Sequence, residues 1–132
     1  MTYSIEEIKK ASEMAKIDKK NSSNIIASLE WSKWILDHEY LKCEDILDKV
    51  CLISEVSKKD LISKSRKQEF VLARAALSKI LKDIYHEITF VQIGNMIDKQ
   101  HSVVSDHYTK LVENDRLFRG YYFKIRTKIM EE

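Results

Sequence analysis

Proline is absent from this 132-residue chain, glycine occurs only at Gly94 and Gly120, and cysteine only at Cys43 and Cys51. The turns of a many-stranded sheet draw on glycine and proline for their backbone angles. A chain this poor in both is expected to be helices joined by short polar loops. The two cysteines stand eight residues apart in a helical pattern, about 12 Å of rise, too far for a disulfide within one helix. Without a CxxC or a paired CxxC/HxxxH spacing, no zinc site is expected. No apolar run approaches the ~20 residues that span a bilayer. The opening "MTYSIEEIKK" has no cationic stretch leading into an apolar one, so no secretory signal is read and the cytosol is the expected compartment. Catalytic chemistry finds little footing. Neither cysteine is flanked by a histidine or by a cluster of cations that would activate it, and acid pairs such as Glu44-Asp45 are adjacent and so diverge on a helix. Neither an enzyme nor a cofactor is expected.

What the chain does have is helical periodicity and an uneven charge. Apolar residues make up 44% and charged residues 33%, the balance of a globular domain. Residues 1–56 hold 8 Lys/Arg against 11 Asp/Glu, while residues 57–132 hold 15 against 10. The densest part, residues 57–82, has eight basic and two acidic residues. A basic region on an otherwise balanced chain points to an anionic partner, nucleic acid first.

The helices can be read in order. "SIEEIKKASEMAKI" opens with a capping box, Ser4 and Glu7. "SNIIASLEWSKWILDHEYL" carries Ile25, Ile26, Leu29, Trp34 and Ile35 near helical spacing. Its Trp31 and Trp34 suit either core packing or a face that docks a partner. "CEDILDKVCLISEV" places acids at its start, where the helix dipole favours them, and Ile46, Leu47, Val50, Cys51 and Ile53 inward. "SKKDLISKSRKQ" reads as a basic connector. From Gln68 to Tyr85 the apolar residues Phe70, Ala73, Leu77, Ile80, Leu81 and Ile84 form a strong amphipathic pattern. Arg74, Ser78 and Lys82, spaced by four, read as a solvated flank or as phosphate contacts. Thr89 caps a short helix with Phe90, Ile93 and Ile97 inward. Asp98-Lys99-Gln100 is a tight link to a further helix that buries Val104, Tyr108, Leu111 and Val112. Asn114-Asp115 breaks the chain before "RLFRGYYFKIRTKIM", whose inward set is Leu117, Tyr121 and Ile125. Gly120 has no reading beyond close packing or a kink. His38, His86 and His107 lack partners at metal spacing and read as surface or interhelical residues.

Two helices joined by a three-residue link, the second polar at its start, are the sequence picture of a helix-turn-helix. A helix that reads DNA needs short side chains in its first turn for base edges, and basic neighbours for phosphates. His101, Ser102 and Val103 meet the first demand. Lys64, Arg66, Lys67 and Lys99 meet the second.

Three stretches, in order, resemble the C-terminal DNA-binding domain of the bacterial replication initiator family, DnaA. "KDLISKSRK" resembles its D-L-L-S-x-x-R stretch, through Asp60, Leu61, Ser63, Lys64 and Arg66. "ARAALSKILKDI" resembles its A-R-Q-x-A-M-x-L-x-x-E-L helix, through Arg74, Ala75, Leu77 and Ile80. "TFVQIGNMIDKQHSVVSDHYTKL" resembles its L-P-E-I-G-x-x-F-G-G-R-D-H-T-T-V-x-H-A-x-x-K-I signature, through Ile93, Gly94, His101, Ser102, Val104 and Lys110. The resemblance implies an all-α helical bundle containing a helix-turn-helix that binds double-stranded DNA. Residues 43–132 would form that domain and residues 1–42 a helical extension able to take a protein partner. Arg66 would take the place of a minor-groove arginine, and His101, Ser102 and Val103 that of the His-Thr-Thr that enters the major groove. Gln100 would replace the aspartate before it. Glutamine pairs with adenine where aspartate accepts from cytosine, and valine can meet only a thymine methyl. The chain contains no G-x-x-x-x-G-K-[ST] phosphate loop and has no room for an ATPase domain. A protein-interaction adapter that keeps the fold and docks through the Trp31/Trp34 helix is the alternative.

Overall fold

The computed structural model describes residues 23–131, and among them every regular element is a helix. The fold is therefore all-α. The chain divides into two compact units, Met1–Leu41 and Lys42–Glu132. The capped helix read from Ser4, and the Ile25/Ile26 pair, lie outside the residues or side chains described. In the first unit, α1 (Ser23–Asp37) carries Trp31 and Trp34, 0% and 8% exposed. The two indoles stack at 5.3 Å, and the His38 ring stacks on Trp34 at 4.1 Å. The His38 Nδ1–H donates to the Trp34 carbonyl at 2.7 Å. Both tryptophans are thus packed, not presented as a docking face.

The second unit is built around one helix. Its elements are α2 (Cys43–Ser54), α3 (Lys58–Ile62), α4 (Gln68–Ile84), α5 (Phe90–Ile97), α6 (His101–His107) with a π-turn at Tyr108–Val112, and α7 (Arg116–Glu131). The amphipathic segment from Gln68 is α4, and it packs against every other element of the unit. Ala73, Ala75 and Ala76 are small enough to let neighbours approach, while Leu77, Ile80 and Leu81 are fully buried. Ile46, Leu47 and Val50 of α2, Leu61 of α3, Ile93 and Ile97 of α5, and Phe118, Ile125 and Ile129 of α7 complete the core. Each such side chain contributes roughly 1.5–3 kcal/mol on burial.

Local signals set the helix ends. The Asp45 carboxylate accepts from the Lys42 amide at 2.8 Å, and the Ser57 hydroxyl accepts from the Asp60 amide at 3.1 Å. Thr89 and Gln92 form a reciprocal capping box at the start of α5. The Asp115 carboxylate accepts from the Phe118 amide at 3.1 Å and so starts α7 after the expected break. Glu55 ends α2 in the left-handed region, at φ 59°.

Two expectations are corrected. The basic connector contains a helix of its own, α3, because Ser57 caps it and Leu61 is fully buried. The inward set of α7 keeps Ile125 but replaces Leu117 and Tyr121 by their neighbours Phe118 and Tyr122. Leu117 is 62% exposed, and Phe118, Tyr122, Ile125, Arg126 and Ile129 face in. A polar network decides that register. The Tyr122 hydroxyl donates to the buried Asp83 carboxylate of α4, whose other oxygen meets Lys79 Nζ at 2.8 Å. The Arg126 guanidinium lies over the Phe123 ring at 4.5 Å. Burial, and next the Asp83 charge, hold the Tyr122 phenol well above its ordinary pKa.

Candidate nucleic-acid interface

α5, a three-residue turn and α6 form the expected helix-turn-helix. Asp98 takes the left-handed conformation, φ 53° and ψ 50°, which aspartate tolerates better than most residues. The Lys99 amide then donates to the Gly94 carbonyl at 2.9 Å. Gly94 is buried, and a Cβ there would overlap the Lys99 carbonyl oxygen, so the turn closes only on a glycine. Val104 packs inward and leaves the start of α6 facing out.

A cleft of about 760 Å³ lies between this helix and the basic loop that follows α3. Lys64 and Arg66 border it on the loop side, and Gln100, Ser102 and Val103 on the other. Arg74 and Lys99 line its floor. Lys67 and His101 are exposed but do not line it; the Lys67 ammonium sits 5.7 Å from the Phe70 ring. The Gln100 side chain makes no capping hydrogen bond, and Val103 is 37% exposed.

The placement of Arg74 corrects the reading of it as part of a solvated flank. It is 3% exposed, and four of its N–H groups are turned onto carbonyl oxygens of α3 and of the loop after it. Nε donates to Leu61 at 2.9 Å and Nη1 to Ser65 at 2.8 Å. Nη2 donates to Asp60 at 3.1 Å and to Ser63 at 2.8 Å. Ser78 is buried too and donates back to the Arg74 carbonyl, while Lys82 donates to the Ile88 carbonyl at 2.7 Å. The i, i+4 row therefore faces loops that fold over it. Lys99 is likewise turned inward, its Nζ donating to the carbonyls of Ile62 at 2.7 Å and Ser63 at 2.8 Å. Burial pushes both cations below their ordinary pKa values, and for Lys99 the neighbouring Arg74 adds to the effect.

Sequence reasoning missed four cleft residues, Val71, Asp98, Asp106 and His107, the last two on the recognition helix itself. With Ser102 and Val103, Asp106 and His107 form an i, i+1, i+4, i+5 face of α6, so helical spacing carried from Ser102 was the signal available. Asp106 pairs with Lys110 at 3.1 Å. His107 is half-buried; burial first and the Arg74 charge second hold its pKa below the ordinary imidazole value. The helix continues into the π-turn, where Tyr108 packs on Phe90 at 5.3 Å. Among the described residues no group of three or more His, Cys, Asp or Glu could hold a metal, and no helix is long and apolar enough to cross a membrane.

A three-residue turn closed on glycine, a recognition helix with short side chains at its start and a flanking basic loop define a helix-turn-helix domain of the DNA-binding class. The chain belongs to the bacterial DnaA helix-turn-helix family, described as "Bacterial dnaA protein helix-turn-helix", which matches residues 43–111, more than half of its length. It is 29% identical over 87 residues to the chromosomal replication initiator protein DnaA of Leptospira biflexa serovar Patoc, in each of two strains. That match covers 64% of this chain and 20% of each relative, so the chain spans about a fifth of the length of the initiators it matches. No solved structure matches the chain.

Proposed function

We propose that residues 43–132 bind double-stranded DNA with sequence preference and without catalysis, in control of replication or transcription. Lys64, Arg66 and Lys67 meet phosphates or the minor groove, and Gln100, His101, Ser102 and Val103 meet base edges in the major groove. Residues 1–42 are an extension to this binding domain. The observation that carries the reading is the shared cleft. It sets two loop cations opposite three uncommitted side chains of a helix start, 34 or more residues away in sequence. Phosphate contacts set register, and base-edge contacts carry specificity. The burial of Trp31 and Trp34 favours this reading over an adapter that docks through their helix.

The test is a fluorescence-anisotropy titration against an initiator-box duplex and a random-sequence pool, at two salt concentrations. Affinity is expected to fall steeply with salt, by about one unit of log–log slope per phosphate contact. The double substitution Arg66→Ala with His101→Ala should weaken binding by several kcal/mol at most, each base contact being worth roughly 1–3. No binding to either duplex at low salt would end the DNA reading. Binding that ignores the double substitution would end the residue assignment.

A further inference from the structure

We infer that Lys99 and Arg74 are positioning residues for DNA binding, which weld the basic loop to the helix-turn-helix so that loop and recognition helix engage as one unit. This rests on the DNA reading above. Lys99 belongs to the turn of the motif, yet its ammonium crosses to two carbonyls 36 and 37 residues earlier, where α3 ends and the loop begins. Arg74, on the central helix, holds two carbonyls of the loop, Ser63 and Ser65, and two of the last turn of α3, Asp60 and Leu61. The Ser63 carbonyl accepts from both cations, each at 2.8 Å, and so joins helix, loop and turn at one atom.

Four of the five guanidinium N–H groups of Arg74 are committed in this way, and the residue is 3% exposed. A phosphate in the cleft would find little of it to bind. The loop cations have the opposite character: Lys64 and Arg66 are exposed, and the backbone between them is held from behind. An ordinary loop pays conformational entropy when it is ordered on a ligand. This one is ordered beforehand, by charge-assisted hydrogen bonds worth roughly twice a neutral one. Removing Lys99 would strand the Ile62 carbonyl and release the loop from the turn, and removing Arg74 would strand those of Leu61 and Ser65 and release the loop from the central helix.

Contacts carried by independent elements add, whereas contacts that share one support do not. The experiment is therefore a double-mutant cycle in DNA affinity, crossing Lys99→Met with the pair Lys64→Ala/Arg66→Ala. As a positioning residue, Lys99 should cost about tenfold when removed from the otherwise intact protein and less than about twofold once the loop charges are gone. Amide exchange at residues 63–66 should also accelerate in Lys99→Met. Equal losses on both backgrounds, with the salt slope lower by about one each time, would make Lys99 a direct phosphate contact and overturn the inference. No loss on either background would overturn it as well. Should Lys99→Met fail to fold, Arg74→Lys enters the same cycle; it keeps the charge but cannot span four carbonyls, and the two outcomes read the same way. If the intact protein binds no duplex at low salt, it is the DNA reading that fails, and the exchange rates alone still report whether the weld exists.

Discussion

Gly94 and Lys99 meet backbone to backbone: the Lys99 amide donates to the Gly94 carbonyl, and the Lys99 carbonyl fills the place where a Gly94 side chain would stand. The turn of the helix-turn-helix thus has room for a hydrogen at that position and nothing larger. Gly94→Ala should cost roughly 1–3 kcal/mol, the usual penalty for forcing an atom into a packed site. Urea unfolding measures it. A midpoint equal to that of the unaltered protein would show that the turn relaxes freely.

The other glycine predicts the reverse. Gly120 sits on the exposed side of α7, with nothing within reach of an added Cβ, and nothing in the structure accounts for it. Gly120→Ala should stabilise the fold by up to about 1 kcal/mol, through helix propensity alone. A loss of stability in the same unfolding assay would mean that the helix is bent or covered there.

At the end of α2, Glu55 occupies a left-handed conformation that costs a residue with a Cβ about 1 kcal/mol or more. Glu55→Gly should recover a good part of that in the unfolding free energy. An unchanged or lower value would show that Glu55 makes a compensating contact through its side chain.

His107 predicts a pH dependence of stability. Its pKa in the folded state lies below the ordinary value of 6.5, so the unfolded chain takes up a proton more readily than the folded one. Its neutral form is the one the fold accepts. Stability is accordingly full above about pH 6.5 and declines as pH falls from there toward the depressed folded pKa, below which the loss stops growing. Denaturation at pH 7.5 and pH 5.5, compared with His107→Gln, isolates this residue. The variant should lose less stability between the two pH values, and an identical loss in both proteins would remove His107 from the account.

Tyr122 tests the network that fixes α7. Tyr122→Phe leaves a buried Asp83 oxygen without its hydroxyl donor, which should cost about 1–3 kcal/mol. A neutral substitution would show that the register of α7 is set by Phe118, Ile125 and Ile129 alone.

Much of this fold could be read from local patterns. The capping pair Thr89 and Gln92, the three-residue link Asp98-Lys99-Gln100 and the apolar series along α4 are all written within a few residues of one another. Arg74 could not be read in the same way. Its spacing with Ser78 and Lys82 is that of a wet helix flank, and its partners are carbonyls 9 to 14 residues earlier that come within reach only when the loop folds back. The α7 register was hidden for a related reason. Leu117-Phe118 and Tyr121-Tyr122 are adjacent apolar pairs, so either member satisfies the helical period. The choice belongs to Asp83, 39 residues away from Tyr122. The cleft side chains Ser102 and Val103 were legible from helix position, but their neighbours Asp106 and His107 were passed over for want of following the same face one turn further.

The stretch from Asp60 to Ser65, the end of α3 and the loop after it, turns five of its carbonyl oxygens toward Arg74 and Lys99. Those five carbonyls face the protein, while the exposed Lys64 and Arg66 side chains give the outer side positive charge. In the minor groove, A·T pairs present acceptors alone, and only G·C pairs add a donor, the guanine amino group. For the proposed DNA reading, the loop would greet an A·T step with matching polarity and leave a guanine amino group unanswered. Five inward carbonyls, touching no nucleotide themselves, would tilt base preference by what they withhold.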